Sequence, residues 1–306
     1  MSKATPKNIE ASIRQRLLDH SRAKGEDFNL TLTRYASERF LYRLSRTEYV
    51  ERFILKGAML FAFWMDKPHR PTADLDFLGR GVESAAELRK IFEEVCRAAV
   101  VPDGLEFKPE SITVEAIRED QAYQGLRVRV AGKLGKARVS VQADIGFGDV
   151  VKPRPKSITF PTILDLPAPR VKAYPPEAVI AEKFQAMVNL GMANSRMKDF
   201  YDLYLMARSF NFEGRILAEA ITATFKRRKT DLPVGIPLAL SEEFAGDADK
   251  RKQWKGFLAR NRLDATGLDL SEVVEYLRLF LMPLLTAVSK QKEFNASWSN
   301  GGPWKE

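Results

Sequence analysis

The sequence predicts an α/β (α+β) protein in which a mixed or antiparallel sheet is followed by a mainly α-helical C-terminal lobe. Two stretches of alternating apolar residues, 125–133 and 137–147, are joined through glycines in the pattern of a β-hairpin. Beyond residue 176, apolar residues recur instead with the period of amphipathic helices. The proline-rich stretch 153–176 lies between the two patterns and is typical of a connector.

Local patterns place the elements in order along the chain. Helical periodicity covers 7–24 and 28–46, alternation predicts a strand at 72–78, and a Ser84–Glu87 capping box opens a helix that ends near residue 100. Further helices are predicted at 176–190, 195–209, 213–227, 241–262 and 270–290. The chain therefore divides into a sheet-containing domain with N-terminal helices at 1–165, a helical domain at 166–290 and a disordered tail at 291–306.

Composition restricts the class of protein and its partners. The chain of 306 residues has a formal net charge of +9 and a pI near 9.5, which favours polyanionic partners such as RNA or nucleotides. Two histidines and one cysteine exclude a structural zinc site built from a Cys/His cluster. The polar N-terminus shows no signal peptide, and the lone Cys96 has no disulfide partner in the chain, so we expect a cytoplasmic protein.

Asp74 and Asp76 alternate along a short apolar run. In a strand, residues two apart point to the same face, so the two carboxylates are expected to project together. Carboxylates held this close repel each other unless protons or a cation separate them. A hard divalent ion such as Mg²⁺ (or Mn²⁺), bound together with substrate phosphates, removes the conflict. The pair predicts a metal-dependent phosphoryl- or nucleotidyl-transfer site.

Asp144 is a third candidate metal ligand. It lies on the polar side of the strand 137–147, immediately before a glycine-containing turn where a catalytic group is often presented. The alternative is a solvated polar strand face without a role in the site.

Lys183 shares a face of its predicted helix with apolar residues. A lysine on a buried stripe is costly unless it meets an anion, and a triphosphate is one such anion. The alternative is a lysine whose charged end reaches water along its stem. Asp199 and Asp202 lie three apart on a helix; one of them either pairs with Lys183 or Arg196 in a structural network or acts on the acceptor hydroxyl.

Four residues near the two aspartates are candidates for phosphate contact. Arg70 suits bidentate phosphate binding, and the Thr72 hydroxyl shares the metal-side face if the strand begins that early. Lys56 and Gly57 are similar to a loop whose backbone N–H groups meet phosphates.

Together these motifs resemble the AbiEii/AbiGii nucleotidyltransferase-like toxin family of the DNA polymerase β-type nucleotidyltransferase superfamily. The resemblance rests on the ordered segments LTRYASERFLYRLS, KGAMLF, RPTADLDFLG, VQADIGFGD, EKFQAM and RMKDFYDLY. It implies a polymerase β-like nucleotidyltransferase lobe with a mixed sheet, followed by the helical lobe. Many members have Gly-Gly-Thr or Gly-Ser where this chain has Lys56-Gly57-Ala58.

The resemblance also implies roles for individual residues. Asp74 and Asp76 would bind Mg²⁺, with Asp144 as the third carboxylate. Lys183 would contact the nucleotide phosphates and Asp199 would complete the site. The phosphate pocket would be lined by Arg70 and Thr72, beside Lys56 and Gly57.

A toxin of a type IV toxin–antitoxin or abortive-infection system is the function implied. It would transfer a nucleotide from an NTP to RNA, at the 3′ end of tRNA, and so block translation. Its antitoxin would be a separately encoded winged-helix protein. Two other activities fit the same residues: transfer of a nucleotide or phosphate to a protein hydroxyl, including that of Thr72 itself, and NTP or RNA binding without turnover.

Overall fold

The structure, a computed structural model, describes residues 8–65, 70–81, 84–120, 123–263 and 267–306, and it divides the chain into two compact units. The first unit comprises 1–148 and 155–174, and the second comprises 149–154 and 175–306. The predicted boundary after residue 165 differs from this division for two physical reasons. A further sheet strand follows residue 165, and Asp149 forms an ion pair of 3.0 Å with Arg228 of the helical unit.

The first unit is built on one mixed sheet. Its strands are β1 (Phe53–Lys56), β2 (Leu75–Gly79), β3 (Leu105–Phe107), β4 (Thr113–Asp120), β5 (Tyr123–Leu134), β6 (Ala137–Phe147), β7 (Lys156–Thr159) and β8 (Arg170–Ala173). Their order is β3-β5-β6-β2-β1-β8-β7, with β4 also paired to β5. The pairs β2–β6 and β1–β8 are parallel and the other pairs are antiparallel, which confirms the predicted mixed sheet.

Three of the four α-helices described in the first unit begin at a capping side chain. The four are α1 (Ile9–Lys24), α2 (Phe28–Leu44), α3 (Phe61–Trp64), which has no such cap, and α4 (Ala85–Arg97). Asn8, Asp27 and Ser84 each accept a hydrogen bond from a backbone N–H of the first turn of the helix that follows. The predicted start of α4 at Ser84 is thereby confirmed. Its buried residues Leu88, Ile91, Phe92 and Val95 recur at helical spacing and form the side that packs into the core.

The second unit is mainly helical, as predicted. Its helices are α5 (Pro176–Leu190), α6 (Met197–Ser209), α7 (Gly214–Arg227), α8 (Glu242–Gly246), α9 (Ala248–Arg260) and α10 (Leu270–Ser289). The single helix predicted at 241–262 is two helices, because Asp247 is extended and its side chain caps α9 by accepting from the Lys250 N–H.

The C-terminal segment 291–306 differs from the predicted disordered tail. It contains β10 (Ser297–Trp298) and β11 (Trp304–Lys305), and β10 also pairs with β9 (Phe212–Glu213). Trp298 is only 2% exposed and donates from Nε1 to the Ala207 carbonyl at 2.6 Å. The Asn, Ser and Gly content suggested disorder, but two tryptophans provide enough apolar area to dock the segment.

Within the described part of the chain, none of the helices combines the length and the apolar content needed to cross a bilayer.

Candidate active site

Four charged residues lie in register across four neighbouring strands of the first unit. Lys56 on β1 pairs with Asp76 on β2, Asp76 pairs with Asp144 on β6, and Asp144 pairs with Arg127 on β5. Directly paired residues project from the same face of a sheet, with about 5 Å between their Cβ atoms. The sheet therefore presents a row of charges in the order cation, carboxylate, carboxylate, cation, which we call the carboxylate row.

Asp76 packs directly against the backbone at Gly57. Gly57 has φ +73°, and a Cβ built there would lie 2.0 Å from Oδ2 of Asp76. No side chain fits at position 57, both because of this close approach and because of the left-handed backbone. The chain then enters a short helical turn at Ala58, which is buried. Gly57 thus fixes the surroundings of Asp76, whereas the phosphate contact expected of it remains a prediction.

Asp144 is held by the guanidinium of Arg127. Arg127 Nε lies 2.7 Å from Oδ1 and Nη2 lies 2.7 Å from Oδ2, a bidentate geometry. Hydrogen bonding to Asp144, and then the negative charges of Asp144 and Asp74, raise the pKa of Arg127 above its ordinary value. Sequence reasoning missed Arg127. The register of the β5–β6 hairpin, counted back from the turn at Gly135, contains the information that places it beside Asp144.

Asp74 lies just outside the strand that carries Asp76. The predicted strand at 72–78 begins only at Leu75, so Asp74 precedes it and is exposed. The alternation rule therefore applies to Asp76 but does not extend to Asp74 or Thr72. Ser37 Oγ donates to the Ala73 carbonyl at 2.7 Å and anchors the chain immediately before Asp74. The negative charge of Asp74 contributes, after that of Asp144, to the raised pKa of Arg127.

Arg70 and Thr72 lie in the irregular segment before β2. Both are half-buried, and neither belongs to the strand. Their contact with phosphate stays a prediction.

Lys183 and two aspartates form a buried cluster within the second unit. Lys183 Nζ lies 2.5 Å from Asp199 Oδ1 and 2.9 Å from Asp202 Oδ2, and Arg196 Nε lies 3.0 Å from Asp199 Oδ2. The side chains of Lys183, Asp199 and Asp202 are 13%, 3% and 0% exposed. Of the two alternatives for these aspartates, the ion-paired network is present in the structure, with Lys183 bound to both and Arg196 bound to Asp199.

The protonation state of Lys183 follows from this cluster. Burial alone lowers its pKa, but the charges of Asp199 and Asp202 and their hydrogen bonds more than offset burial, and the pKa lies above its ordinary value. Lys183 is therefore a cation at neutral pH. A cationic ammonium is the form that binds phosphate.

Three aspartates, two in the carboxylate row and Asp74 immediately before β2, have the donor type that suits a hard divalent cation. Asp74, Asp76 and Asp144 supply only carboxylate oxygens, the ligands that Mg²⁺ prefers. In the described residues, no three His, Cys, Asp or Glu side chains already converge as a metal site. The guanidinium of Arg127 nevertheless binds both oxygens of Asp144, so this carboxylate already interacts with a positive charge.

Comparison with known proteins finds a family match over a stretch of the chain that contains all these residues. A family model described as nucleotidyl transferase AbiEii toxin, type IV toxin–antitoxin system, matches residues 39–275, which is most of the chain. No curated protein matches the chain significantly.

Two crystal structures from Helicobacter pylori are similar to this chain. JHP933 is 17% identical, with 85% of this chain and 94% of that chain covered and a TM-score of 0.48. A protein named as a candidate nucleotidyltransferase is 17% identical, with 86% and 98% covered and a TM-score of 0.49. The family match itself extends from α2 into α10 and includes every predicted site residue. On that match, this chain belongs to the AbiEii nucleotidyl transferase toxin family of type IV toxin–antitoxin systems.

Proposed function

We propose that the protein transfers a nucleotide from an NTP to RNA in a Mg²⁺-dependent reaction, with the 3′ end of tRNA as acceptor. Membership in the AbiEii family supplies the nucleotidyltransferase class and the toxin role. The observation that carries the proposal is the in-register placement of Asp76 beside Asp144, with Asp74 immediately before β2. Two adjacent carboxylates on one sheet face provide oxygens for a metal that in turn binds a triphosphate.

The reaction is an in-line displacement at phosphorus. The oxygen of an RNA 3′-hydroxyl forms a bond to the α-phosphorus while the bond from that phosphorus to the bridging oxygen breaks. Pyrophosphate leaves with the electron pair of the broken bond, and the hydroxyl proton passes to solvent. When bound, Mg²⁺ would neutralise the triphosphate and lower the pKa of the attacking hydroxyl.

The residues of the chain have distinct tasks in this proposal. Asp74 and Asp76 hold the metal that accompanies the triphosphate, and Asp144 supplies the third carboxylate. Arg70 and Thr72, with Lys56 beside Asp76, face the phosphates.

We also propose that Lys183 of the second unit, paired with Asp199, binds nucleotide phosphates. The cationic Lys183 compensates charge that develops on the phosphates during the displacement. Its pairing with Asp199 keeps the ammonium protonated and oriented.

RNA as acceptor is supported by charge. The formal net charge of +9 favours a polyanion through phosphate contacts, and tRNA offers an accessible 3′ end. Modification of that end would block aminoacylation and translation. A type IV toxin implies a cognate antitoxin, which we propose to be a separately encoded winged-helix protein.

The test is incubation of the protein with Mg²⁺, total tRNA and each of the four NTPs, labelled at the α-phosphate, followed by a denaturing gel. We expect label on tRNA with one preferred NTP, and its loss in Asp74→Ala, because that change removes a metal ligand from an exposed position outside the strand. Circular dichroism of Asp74→Ala should match that of the unaltered protein.

Other outcomes would contradict the proposal in distinguishable ways. Label on the protein rather than on RNA would indicate transfer to a protein hydroxyl. NTP binding without pyrophosphate release would indicate a non-catalytic nucleotide-binding protein. Label on tRNA that survives in folded Asp74→Ala would exclude the metal role of Asp74.

A further inference from the structure

Arg127 occupies a position in the carboxylate row that the proposed reaction leaves unexplained. Its guanidinium forms two hydrogen bonds of 2.7 Å to both oxygens of Asp144, which is the third carboxylate of the proposed metal site. A carboxylate held bidentately has its best-oriented lone pairs engaged. Each oxygen keeps a second lone pair, but a metal ion on Asp144 draws on the same negative charge and therefore competes with Arg127 for this carboxylate.

The charges of the row are balanced by the protein itself. Asp76 and Asp144 are direct neighbours on β2 and β6, and adjacent carboxylates raise each other's energy unless a cation is present. Arg127 lies beside Asp144 and Lys56 lies beside Asp76. In the absence of metal, Lys56 and Arg127 thus offset the repulsion between the two carboxylates, as a divalent ion bound between them would.

We infer that Arg127 is a positioning residue that acts as an intramolecular counter-cation: it holds Asp144 in the metal-free protein and competes with the divalent ion for that carboxylate. The inference rests on the proposed metal role of Asp144. Mg²⁺ binding to Asp144 then weakens the Arg127 pair, so Arg127 lowers the apparent affinity for the metal.

The chain offers a matched control on the same strand. Arg129 is two residues further along β5 and projects from the same face, but its guanidinium contacts Gln142 at 3.2 Å and Glu115 at 2.8 Å. Replacement of Arg129 removes the same charge from the same sheet face without touching Asp144.

The experiment is calorimetric titration of the full chain with Mg²⁺ alone, in the absence of NTP and RNA. The proteins titrated are the unaltered protein, Arg127→Met, Arg127→Lys, Arg129→Met and, as the variant that should lose the metal site, Asp76→Asn. We expect Arg127→Met to bind Mg²⁺ roughly threefold to tenfold more tightly, the size expected when one charge-assisted hydrogen-bonded pair is removed from competition. Arg127→Lys keeps the charge but loses the bidentate geometry of the guanidinium. Its Mg²⁺ affinity should lie between those of the unaltered protein and Arg127→Met. Arg129→Met should bind as the unaltered protein does.

Thermal unfolding provides a second readout that keeps the inference testable if the titration signal is small. Without metal, Arg127→Met should melt at a lower temperature than the unaltered protein because its carboxylates repel each other. Saturating Mg²⁺ should raise the melting temperature of Arg127→Met by more than that of the unaltered protein or of Arg129→Met. A purely structural role for Arg127 predicts a loss of stability that Mg²⁺ does not restore.

The inference is overturned if Arg127→Met binds Mg²⁺ with unchanged or weaker affinity while Asp76→Asn loses the binding; the proposed function then stands. If Asp76→Asn changes neither Mg²⁺ binding nor nucleotidyl transfer, the carboxylate row is not the metal site, and both the proposed function and the inference are wrong.

Discussion

At the scale of single residues, the site depends on how closely the backbone approaches Asp76. The carboxylate lies against Gly57 on one side and has Lys56 and Asp144 as its in-register neighbours. A side chain at position 57 would occupy the space of the Asp76 carboxylate. The identity of residue 57 is therefore as important for the geometry of the site as the identity of the aspartate.

Gly57→Ala should reduce nucleotidyl transfer strongly and also destabilise the protein. The added Cβ would lie 2.0 Å from Asp76 Oδ2, so Asp76 must move away from the row. The backbone of Gly57, with φ +73° and ψ −162°, lies in a region that only glycine adopts readily, and it costs an alanine about 1–3 kcal/mol. Urea unfolding, together with the tRNA labelling assay, measures both effects.

Gly25→Ala is the control for a glycine with positive φ away from the site. Gly25 has φ +65° and ψ +25°, the left-handed α region, and a Cβ there meets nothing within 4 Å. Gly25→Ala should lose less free energy of unfolding than Gly57→Ala and should retain full nucleotidyl transfer. Full activity in folded Gly57→Ala would show that the contact with Asp76 does not matter for the reaction.

At the scale of elements, α2 connects distant segments of the first unit through buried charged residues. Arg43 forms a bidentate pair with Asp103, with distances of 2.6 and 3.0 Å. Arg39 donates to the Pro167 carbonyl at 2.8 Å, and Glu38 accepts from the Ile163 N–H at 2.6 Å. These bonds hold the chain between β7 and β8 against the helix, so the charge state of α2 matters for folding.

The raised pKa of Glu38 predicts how the stability of the protein depends on pH. Burial, opposed by the nearby charge of Arg39, raises the pKa of Glu38 to about 7 from 4.5. The folded state therefore keeps a proton that the unfolded state has already lost, and the free energy of unfolding decreases as the pH rises from about 4.5 to about 7. The decrease from this group amounts to at most about 3 kcal/mol.

The comparison with Glu38→Gln isolates this group from the other titrating residues. Glutamine preserves the acceptor for the Ile163 N–H and does not titrate. In urea unfolding at pH 5, 6, 7 and 8, the unaltered protein should lose stability relative to Glu38→Gln as the pH rises to about 7. Parallel pH profiles for the two proteins would show that Glu38 does not carry a raised pKa.

At the scale of the whole molecule, the features that the sequence predicted correctly are those determined by local patterns. The range of α5, Pro176–Leu190, agrees with its apolar period, and the start of α4 agrees with its capping box. Mixed pairing of the sheet also follows from the family resemblance. The neighbouring positions of Asp76 and Asp144 depend on parallel register between strands far apart in the chain, which no local pattern specifies.

The domain limits were harder to predict for the same reason. Strand β8 joins the sheet by pairing with β1, and the segment 149–154 joins the helical unit, so both assignments depend on contacts distant in sequence. In the C-terminal segment, composition indicated disorder, whereas tertiary packing of two aromatic side chains determines the structure. Residue frequencies average over a segment and therefore underestimate a few large buried side chains.

The C-terminal segment should accordingly contribute to the stability of the helical unit. Trp298 is 2% exposed, its ring packs 4.8 Å from that of Phe280, and its Nε1 bonds the Ala207 carbonyl. Trp298→Ala should cost about 3–5 kcal/mol through the cavity and the unsatisfied carbonyl. Trp304 is half-buried and stacks on Phe280 with 5.7 Å between the ring centroids. Trp304→Ala should therefore reduce the free energy of unfolding by less than Trp298→Ala. Hydrogen exchange in α6 and α10 measures the effect, because loss of docking exposes both helices. Unchanged exchange in folded Trp298→Ala would mean that the segment does not pack on the helices in solution.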